Sequence, residues 1–169
     1  MQKIIGVIMA GLIATSVAAA DIKLPEPDKT NQTTLIAALE KRHSDREFTD
    51  KEIDSKMLST ILWTAYGVNR ADGKRTIPTA LDKKDLNIYV FNKSGVWLYD
   101  ANENILKQQS NENYLSLFQL QDYMKNVSTV LVYTGSTEEY ALMHAGSAYQ
   151  NVELCAAANN MASIVRGYY

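Results

Sequence analysis

The most restrictive feature of this sequence is a short β-branched run that is followed at once by a long helical stretch. Residues 129–134 read Thr-Val-Leu-Val-Tyr-Thr, which is typical of a strand. Ser136 or Thr137 then predicts a helix N-cap, and the helical pattern continues to about Asn160. The small residues at 145–148 permit close packing of this helix against another helix. The fold must therefore pair a strong strand with a long, closely packed helix.

Helices and a β-hairpin are predicted ahead of this unit. The pattern from Thr34 predicts a helix that ends in basic residues, and a capping box at residues 49–52 predicts a second helix that Gly67 closes. Strands are predicted at residues 88–91, 96–99 and 105–106, a helix at residues 114–124, and a last strand at residues 163–166. This mixture predicts an α+β fold, with helices flanking a mostly antiparallel sheet.

Residues 1–20 have the form of a secretory signal peptide. Lys3 precedes an apolar run, and three alanines at 18–20 form a small-residue cleavage site before Asp21. The alternative is a membrane anchor, but the run is shorter than the ~20 residues that a spanning helix needs. We therefore expect an exported, periplasmic protein with no membrane span after cleavage. Residues 21–33 are polar, contain two prolines, and are expected to form an extended arm or linker.

Composition narrows the possible functions. The formal net charge is -2 and no basic block occurs, so nucleic acid is not an expected partner. The sequence shows no metal-ligand cluster, no Gly-rich phosphate loop and no nucleophile–base pair, so no catalytic or metal residue is assigned. Cys155 is expected to be a buried hydrophobe, and His144 a hydrogen-bonded core residue. A chain of this kind would rely on a cofactor for chemistry.

Three segments carry candidate binding residues, and each has a plainer interpretation. Arg42, His43, Ser44 and Arg46 offer the donors that a phosphate needs, although basic residues here also suit a helix C-terminus. Pro78, Thr79 and Ala80 end a long loop, residues 69–85, and could equally form a simple proline turn. Val165, Arg166 and Gly167 lie at the chain's end, where the alternative is a core strand with a surface charge.

In order and spacing, these segments resemble the FMN-dependent nitroreductase family over residues 34–169. The resemblance implies that the first segment reaches the FMN phosphate, that the second lies against the flavin of a partner subunit, and that the third runs beside the isoalloxazine ring. The second segment is similar to the Pro-Ser-Ala-Gly stretch of the azoline-oxidase branch, with Thr79 in place of Ser and Leu81 in place of Gly. Asn160 stands where the family has Gly and is expected to form a left-handed C-cap.

The resemblance also implies a function and an assembly. We expect a two-fold homodimer that binds FMN and passes electrons to or from a small organic substrate, with NAD(P)H or another electron donor. Two alternatives stay open: a non-catalytic protein that binds flavin or a small aromatic molecule, and an inactive paralogue with a structural role. Members of the family usually continue past the point that matches Tyr169, so the chain is expected to be short at its C-terminus.

Overall fold

The computed structural model describes residues 20–136 and 138–166. In chain order its elements are β1 (Ile22–Lys23), α1 (Leu35–Lys41), α2 (Ser55–Tyr66), β2 (Asn87–Asn92), β3 (Gly95–Asp100), β4 (Ile105–Ser110), β5 (Thr129–Thr134) and α3 (Glu138–Ala158). The predicted signal peptide and Gly167 fall outside the described residues, apart from Ala20. Within the described ranges, no helix combines the length and the apolar character needed to cross a membrane.

The five strands form one antiparallel sheet in the order β1-β4-β3-β2-β5. Register places alternate residues on one face, because Val90 pairs with Trp97 and Tyr99 pairs with Leu106. All four of these side chains are buried. The α+β fold class and its antiparallel sheet are therefore confirmed.

Helices α2 and α3 pack on that buried face. Leu62 and Ala65 of α2 and Ala148 of α3 are fully buried in the same apolar cluster as the sheet residues. Of the small residues in α3, Ala145 packs against this cluster, whereas Gly146 and Ser147 are only partly buried. The close-packing surface predicted for residues 145–148 is thus divided between the protein's own core and the outer side of the helix.

The start of α2 differs from the sequence prediction. The predicted capping box at residues 49–52 is wrong: the N-cap is Asp54, whose carboxylate accepts a hydrogen bond from the Met57 N–H at 2.8 Å. Asp is as good an N-cap as Thr, and this choice lets Ile53 pack against the core. Gly67 ends the helix as predicted, with an extended backbone, and a larger residue would not fit there because a Cβ would overlap the Trp63 ring.

The segment before α1 is extended, and it is also attached to the domain. Ile22 and Lys23 pair with the edge of β4, and Leu24 is buried in the core cluster. The Pro25 carbonyl accepts hydrogen bonds from the Ser59 hydroxyl and the Asn104 amide. The first residues of the predicted arm therefore belong to the sheet and its core.

The region between β4 and β5 is not the single helix predicted for residues 114–124. It contains two short 3-10 turns, Leu115–Leu117 and Asp122–Met124. Side chains take the place of helical hydrogen bonds: the Asn113 carboxamide oxygen accepts from the Leu115 N–H, and the Gln119 amide donates to the Lys125 and Val127 carbonyls. Phe118 meets Phe91 of the sheet edge-on, with ring centroids 4.9 Å apart.

The predicted C-cap of α3 is confirmed, whereas one of its two predicted N-cap residues falls outside the described residues. Asn160 has a φ of 53°, and the Met161 N–H donates to the Ala156 carbonyl at 2.9 Å, so the predicted left-handed C-cap is confirmed. At the other end, the Ser136 hydroxyl donates to Asp85 at 2.7 Å, and Thr137 lies outside the described residues.

Candidate functional site

The first candidate segment leaves α1 and is tied to α3 by an ion pair. Arg42 is the C-cap of α1, and its Nη1 lies 3.1 Å from Oε2 of Glu153. The Glu153 side chain is only 8% exposed, whereas that of Arg42 is 34% exposed. One edge of the guanidinium therefore neutralises a buried carboxylate, and the remaining N–H groups stay available to a ligand.

His43 follows directly and lies between two hydrogen-bond acceptors. Its Nδ1 is 2.7 Å from the Lys41 carbonyl oxygen, and its Nε2 is 2.9 Å from Oδ1 of Asp45. The bond to the Lys41 carbonyl, and then the Asp45 charge, raise the pKa of His43 above its ordinary value. Because both ring nitrogens face acceptors, this position favours the imidazolium form.

Asp45 joins the first segment to the third. Its backbone N–H donates to the Ser163 carbonyl at 2.9 Å, and its Oδ2 accepts from the Ser163 N–H at 3.4 Å. The strand predicted for residues 163–166 is therefore wrong, since this stretch pairs with a loop and has no regular structure.

The backbone beyond Ser163 includes N–H groups that are not paired with the described residues. Within the described ranges, the N–H groups of Ile164, Val165 and Arg166 meet no protein acceptor. Val165 is exposed, and the Arg166 guanidinium donates through Nη1 to the Phe118 carbonyl at 2.9 Å. The Arg166 side chain is thus occupied with structure, while the backbone beside it can still donate to a ligand.

A cleft of about 480 Å³ opens where these segments meet, and His43, Asp45, Glu153, Asn160 and Ser163 are among its lining residues. Ser44 and Arg46 are exposed next to the cleft-lining residues of the same loop. The Arg46 guanidinium carbon lies 5.8 Å from the centre of the Tyr123 ring. The predicted phosphate-binding residues are therefore accessible.

The second candidate segment, Pro78 to Ala80, is held by a hydrogen bond to a buried histidine. The Ala80 N–H donates to Nε2 of His144 at 2.8 Å, and His144 is fully buried on α3. Immediately afterwards, Leu81 and Asp82 have φ values of 53° and 54°, a left-handed conformation that costs a non-glycine residue roughly 1–2 kcal/mol. Leu81 is 79% exposed. It stands where the resembling sequences have Gly, and the backbone keeps the shape that Gly would favour.

The other side of His144 contacts Asp85, which completes a chain of polar groups. Nδ1 lies 3.1 Å from Oδ1 of Asp85, and Oδ2 of Asp85 accepts from the Ser136 hydroxyl. The Ser136 hydrogen bond, and then the one from His144, hold the pKa of Asp85 below its ordinary value. His144 is thus the hydrogen-bonded core residue that the sequence predicted.

The structure brings together the first and third segments but places the second far away. The His144 anchor lies fourteen residues before the end of α3 at Ala158. At 1.5 Å per residue the two positions are roughly 21 Å apart along the helix. Pro78, Thr79 and Ala80 are therefore away from the part of the cleft at the end of α3, and none of them lines the cleft.

Arg75 was not singled out by the sequence, although it lies three residues before Pro78. It is 7% exposed, and its guanidinium carbon lies 4.9 Å from the Tyr66 ring centre. In the described part of the chain, Nε and Nη1 of Arg75 and the Tyr66 hydroxyl have no hydrogen-bond partner. Only its position in the long polar loop could have marked this residue, because burial of a loop arginine leaves no pattern in sequence.

Residues that could hold a metal ion are not clustered: no group of three or more His, Cys, Asp or Glu side chains with that potential occurs in residues 20–136 and 138–166. Cys155 is buried, and burial raises the pKa of its thiol, as suits a structural cysteine. The site's chemistry therefore rests on hydrogen-bond donors, cations and exposed backbone.

Comparison with known proteins gives a consistent result. The profile of the nitroreductase family matches residues 39–169. The structure resembles a candidate nitroreductase from Ralstonia eutropha JMP134 (29% identity, TM-score 0.82, covering 98% of this chain and 84% of that one). It also resembles a candidate nitroreductase from Anabaena variabilis ATCC 29413 (19% identity, TM-score 0.70, 85% and 35% coverage). A third similar structure, a candidate nitroreductase from Desulfovibrio desulfuricans, is a complex with FMN (16% identity, TM-score 0.54, 77% and 66% coverage). No curated protein matched.

Proposed function

Since the chain belongs to the nitroreductase family, we propose that it is an FMN-dependent oxidoreductase that passes electrons through bound flavin to or from a small organic substrate. One observation carries the proposal. A loop bearing Arg42, His43, Ser44 and Arg46 borders a cleft of about 480 Å³, and beyond Ser163, which lines the cleft, the N–H groups of residues 164–166 meet no acceptor among the described residues.

The cationic side of the cleft fits a phosphate. A phosphate monoester carries nearly two negative charges and accepts several charge-assisted hydrogen bonds. Arg46 is exposed, Arg42 uses one N–H for Glu153 and has others available, and Ser44 adds a hydroxyl. His43 adds a further charge in its imidazolium form.

The backbone side of the cleft fits a planar ring with acceptor atoms. Residues 164–166 are not consumed by a sheet, so their N–H groups can meet ring nitrogens and oxygens. The left-handed cap at Asn160 ends α3, and residues 160–163, which lead into this stretch, line the cleft. Val165 and Arg166, with Gly167 beyond them, are the residues we assign to ring contact.

Flavin supplies the electron chemistry when it is bound, and the protein binds it, orients it and limits the access of water. The proposed roles for this chain are therefore binding roles: Arg42, His43, Ser44 and Arg46 hold the phosphate, and the backbone of residues 164–166 orients the ring. We also propose that NAD(P)H or another reductant is the electron donor.

We further propose that two chains build each site. His144, which anchors the 78–80 segment, lies nine residues before Glu153 of the cleft, roughly 14 Å along α3, and we assign the segment to the flavin of a partner chain. Exposed apolar side chains on the outer surfaces of the helices support such an assembly: Leu35, Ile36 and Leu39 on α1, and Leu142, Met143 and Tyr149 on α3. Leu142, Gly146 and Tyr149 follow helical spacing, which gives a stripe with a small residue at its centre.

The absorbance spectrum of the purified protein, with and without added FMN, tests the proposed function. We expect a flavin spectrum that is bleached by dithionite under anaerobic conditions and restored by a nitroaromatic or quinone acceptor. A protein that stays colourless at saturating FMN contradicts the proposal. A protein that binds FMN but does not exchange electrons with any acceptor supports the non-catalytic flavin-binding alternative.

We also propose that the protein is exported and that it belongs to the azoline-oxidase branch of the family. Export is supported by the pattern of residues 1–20, and the branch by Pro78-Thr79-Ala80. Intact mass of protein from a periplasmic extract should correspond to a chain that begins at Asp21. Recovery of the whole chain from the cytosol, with Met1 present, contradicts export.

A further inference from the structure

The contacts of His144 determine which of its nitrogens carries the proton. A backbone N–H can only donate, so Nε2, 2.8 Å from the Ala80 nitrogen, must accept and carry no hydrogen. The proton then lies on Nδ1, where it is donated to the Asp85 carboxylate at 3.1 Å. A second proton would put an N–H on Nε2, opposite the N–H of Ala80. The neutral Nδ1–H form is therefore the only one that satisfies both neighbours.

The segment that His144 holds is strained. Leu81 and Asp82 are consecutive left-handed residues, and neither is glycine. Such a conformation persists only where the surroundings impose it. The 3-10 turn has no side-chain cap, and Leu81 is largely exposed, so burial of that side chain does not hold the turn. The hydrogen bond from Ala80 to His144 is a buried contact that precedes the strain directly.

Among the described residues, three other charged or titratable groups are found near His144: the side chains of Asp85, Tyr140 and Lys83. Asp85, between the loop and β2, provides the carboxylate, with Ser136 on its far side. On α3 itself the Tyr140 ring stacks on the imidazole at 6.5 Å, and the Lys83 ammonium lies 4.8 Å from the centre of the Tyr140 ring. Among these side chains, Asp85 alone makes a hydrogen bond to the imidazole.

We propose that His144 is a positioning residue: in its neutral Nδ1–H form it holds residues 78–82 in the strained conformation that contacts cofactor in the partner subunit, and protonation releases that segment. The cofactor half of this statement rests on the proposed function. The tautomer and the release of the segment do not, because they follow from the contacts of Ala80, His144 and Asp85.

The tautomer is measured directly by NMR of protein labelled with ¹⁵N-histidine. The chain has two histidines, so a His43→Gln variant assigns the spectrum. We expect His144 imidazole shifts of a neutral ring protonated at Nδ1. Hydrogen exchange of the 78–85 peptide, corrected for intrinsic rates, should be faster at about pH 5 than at about pH 8, because a proton on Nε2 removes the acceptor of the Ala80 N–H. A ring protonated at Nε2, or exchange that does not change with pH, overturns the proposal.

Two substitutions separate the contacts of His144. In His144→Gln, the amide oxygen can reach the position of Nε2 and accept from Ala80, and the side chain does not titrate. In His144→Asn, the amide nitrogen stands near Nδ1 and can donate to Asp85, but nothing reaches Ala80. We expect FMN affinity to fall about 5- to 30-fold in His144→Asn, and to be nearly preserved in His144→Gln at pH 8.

His144→Gln is also the control for the pH dependence of FMN affinity. The variant retains the other groups that change charge with pH, namely His43 and the phosphate of FMN, and lacks only the imidazole of His144. Wild-type affinity should fall more steeply than that of His144→Gln as pH decreases, and parallel curves overturn the positioning role. If no FMN binds to any variant, the proposed function fails, while the tautomer and the exchange results still decide the structural claim.

Discussion

The two histidines of this chain lie in the two regions assigned to the cofactor, and their surroundings are opposite. His43 is exposed and lies between two acceptors, the Lys41 carbonyl and the Asp45 carboxylate, which favours a second proton. His144 is buried between a donor and an acceptor, the Ala80 N–H and the Asp85 carboxylate, and a second proton would break its hydrogen bond with Ala80. We therefore assign anion binding to the cleft region, and the holding of a backbone shape to the 78–82 region.

This difference also sets the sign of each pH dependence. The pKa of His43 is raised, so its contribution to stability is present below the pKa of the unfolded chain and is lost as the pH rises through the folded value. The pKa of Asp85 is lowered, so its contribution is present above the unfolded value and is lost as the pH falls through the folded value. One region weakens toward alkaline pH and the other toward acid pH.

The largest expected effect is the loss of the buried histidine. His144→Ala should lower the free energy of unfolding by about 2–4 kcal/mol, because it leaves a cavity and removes the partners of Asp85 and of the Ala80 N–H. Urea denaturation measures this. His43→Ala is the matched control, and the loss of its exposed side chain should leave the stability close to that of wild type. Equal losses in the two variants would remove the contrast between the regions.

The next effect separates the two arginines within the cleft region. Arg42→Ala should destabilise the fold by about 1–3 kcal/mol, because Glu153 is left buried without its partner. Arg46→Ala should leave stability unchanged within about 0.5 kcal/mol. Titration with FMN should show that either variant loses about 10- to 150-fold in affinity.

A Glu153→Gln variant controls for this pair, since it removes the buried charge and leaves Arg42 free to bind phosphate. If Arg42→Ala is as stable as wild type, the ion pair contributes nothing. If both arginine variants keep wild-type affinity for FMN, the assignment of the phosphate site is wrong.

A smaller effect tests the strain in the 78–82 region. Leu81→Gly should raise the free energy of unfolding by about 0.5–1 kcal/mol, because glycine adopts a positive φ without penalty and the exposed leucine contributes little burial. Asp82→Gly is a matched comparison at the neighbouring left-handed residue. A clear loss of stability in Leu81→Gly would show that the turn is not strained.

The smallest effect concerns the exposed histidine. His43→Gln should lower FMN affinity at neutral pH by about 1.4- to 5-fold, as expected for a charge contact at the surface. It should also remove the loss of affinity that wild type shows toward alkaline pH. Fluorescence titration at several pH values measures both. An unchanged alkaline profile would mean that His43 does not face the phosphate.

Local patterns predicted much of the fold. The β-branched run at Thr129–Thr134, the helix that begins next to Thr34 and the left-handed Asn160 are features that a few neighbouring residues specify, and all three were predicted. Apart from the capping box at residues 49–52, the two failures share a cause. The helix predicted for residues 114–124 and the strand predicted for residues 163–166 depend on partners distant in the chain, namely Phe91 and Asp45.

The candidate site was predictable in its composition and not in its geometry. The sequence identified Arg42 and Ala80, but it could not show that Glu153 pairs with the first or that His144 holds the second. Those contacts join positions 111 and 64 residues apart. No short-range pattern encodes such contacts, and the buried Arg75 was missed for the same reason.

The central claim is that the cleft of one chain and the 78–82 region of another form one FMN site, and mixed subunits test it most directly. Arg46→Glu should abolish binding through the cleft, and Thr79→Trp should block the partner's contribution, so each variant alone should bind no FMN. When the two are unfolded and refolded together, each mixed dimer contains one site with both wild-type halves, so flavin absorbance should return. A mixture that binds no more FMN than the separate variants, although mixed dimers form, would contradict the account.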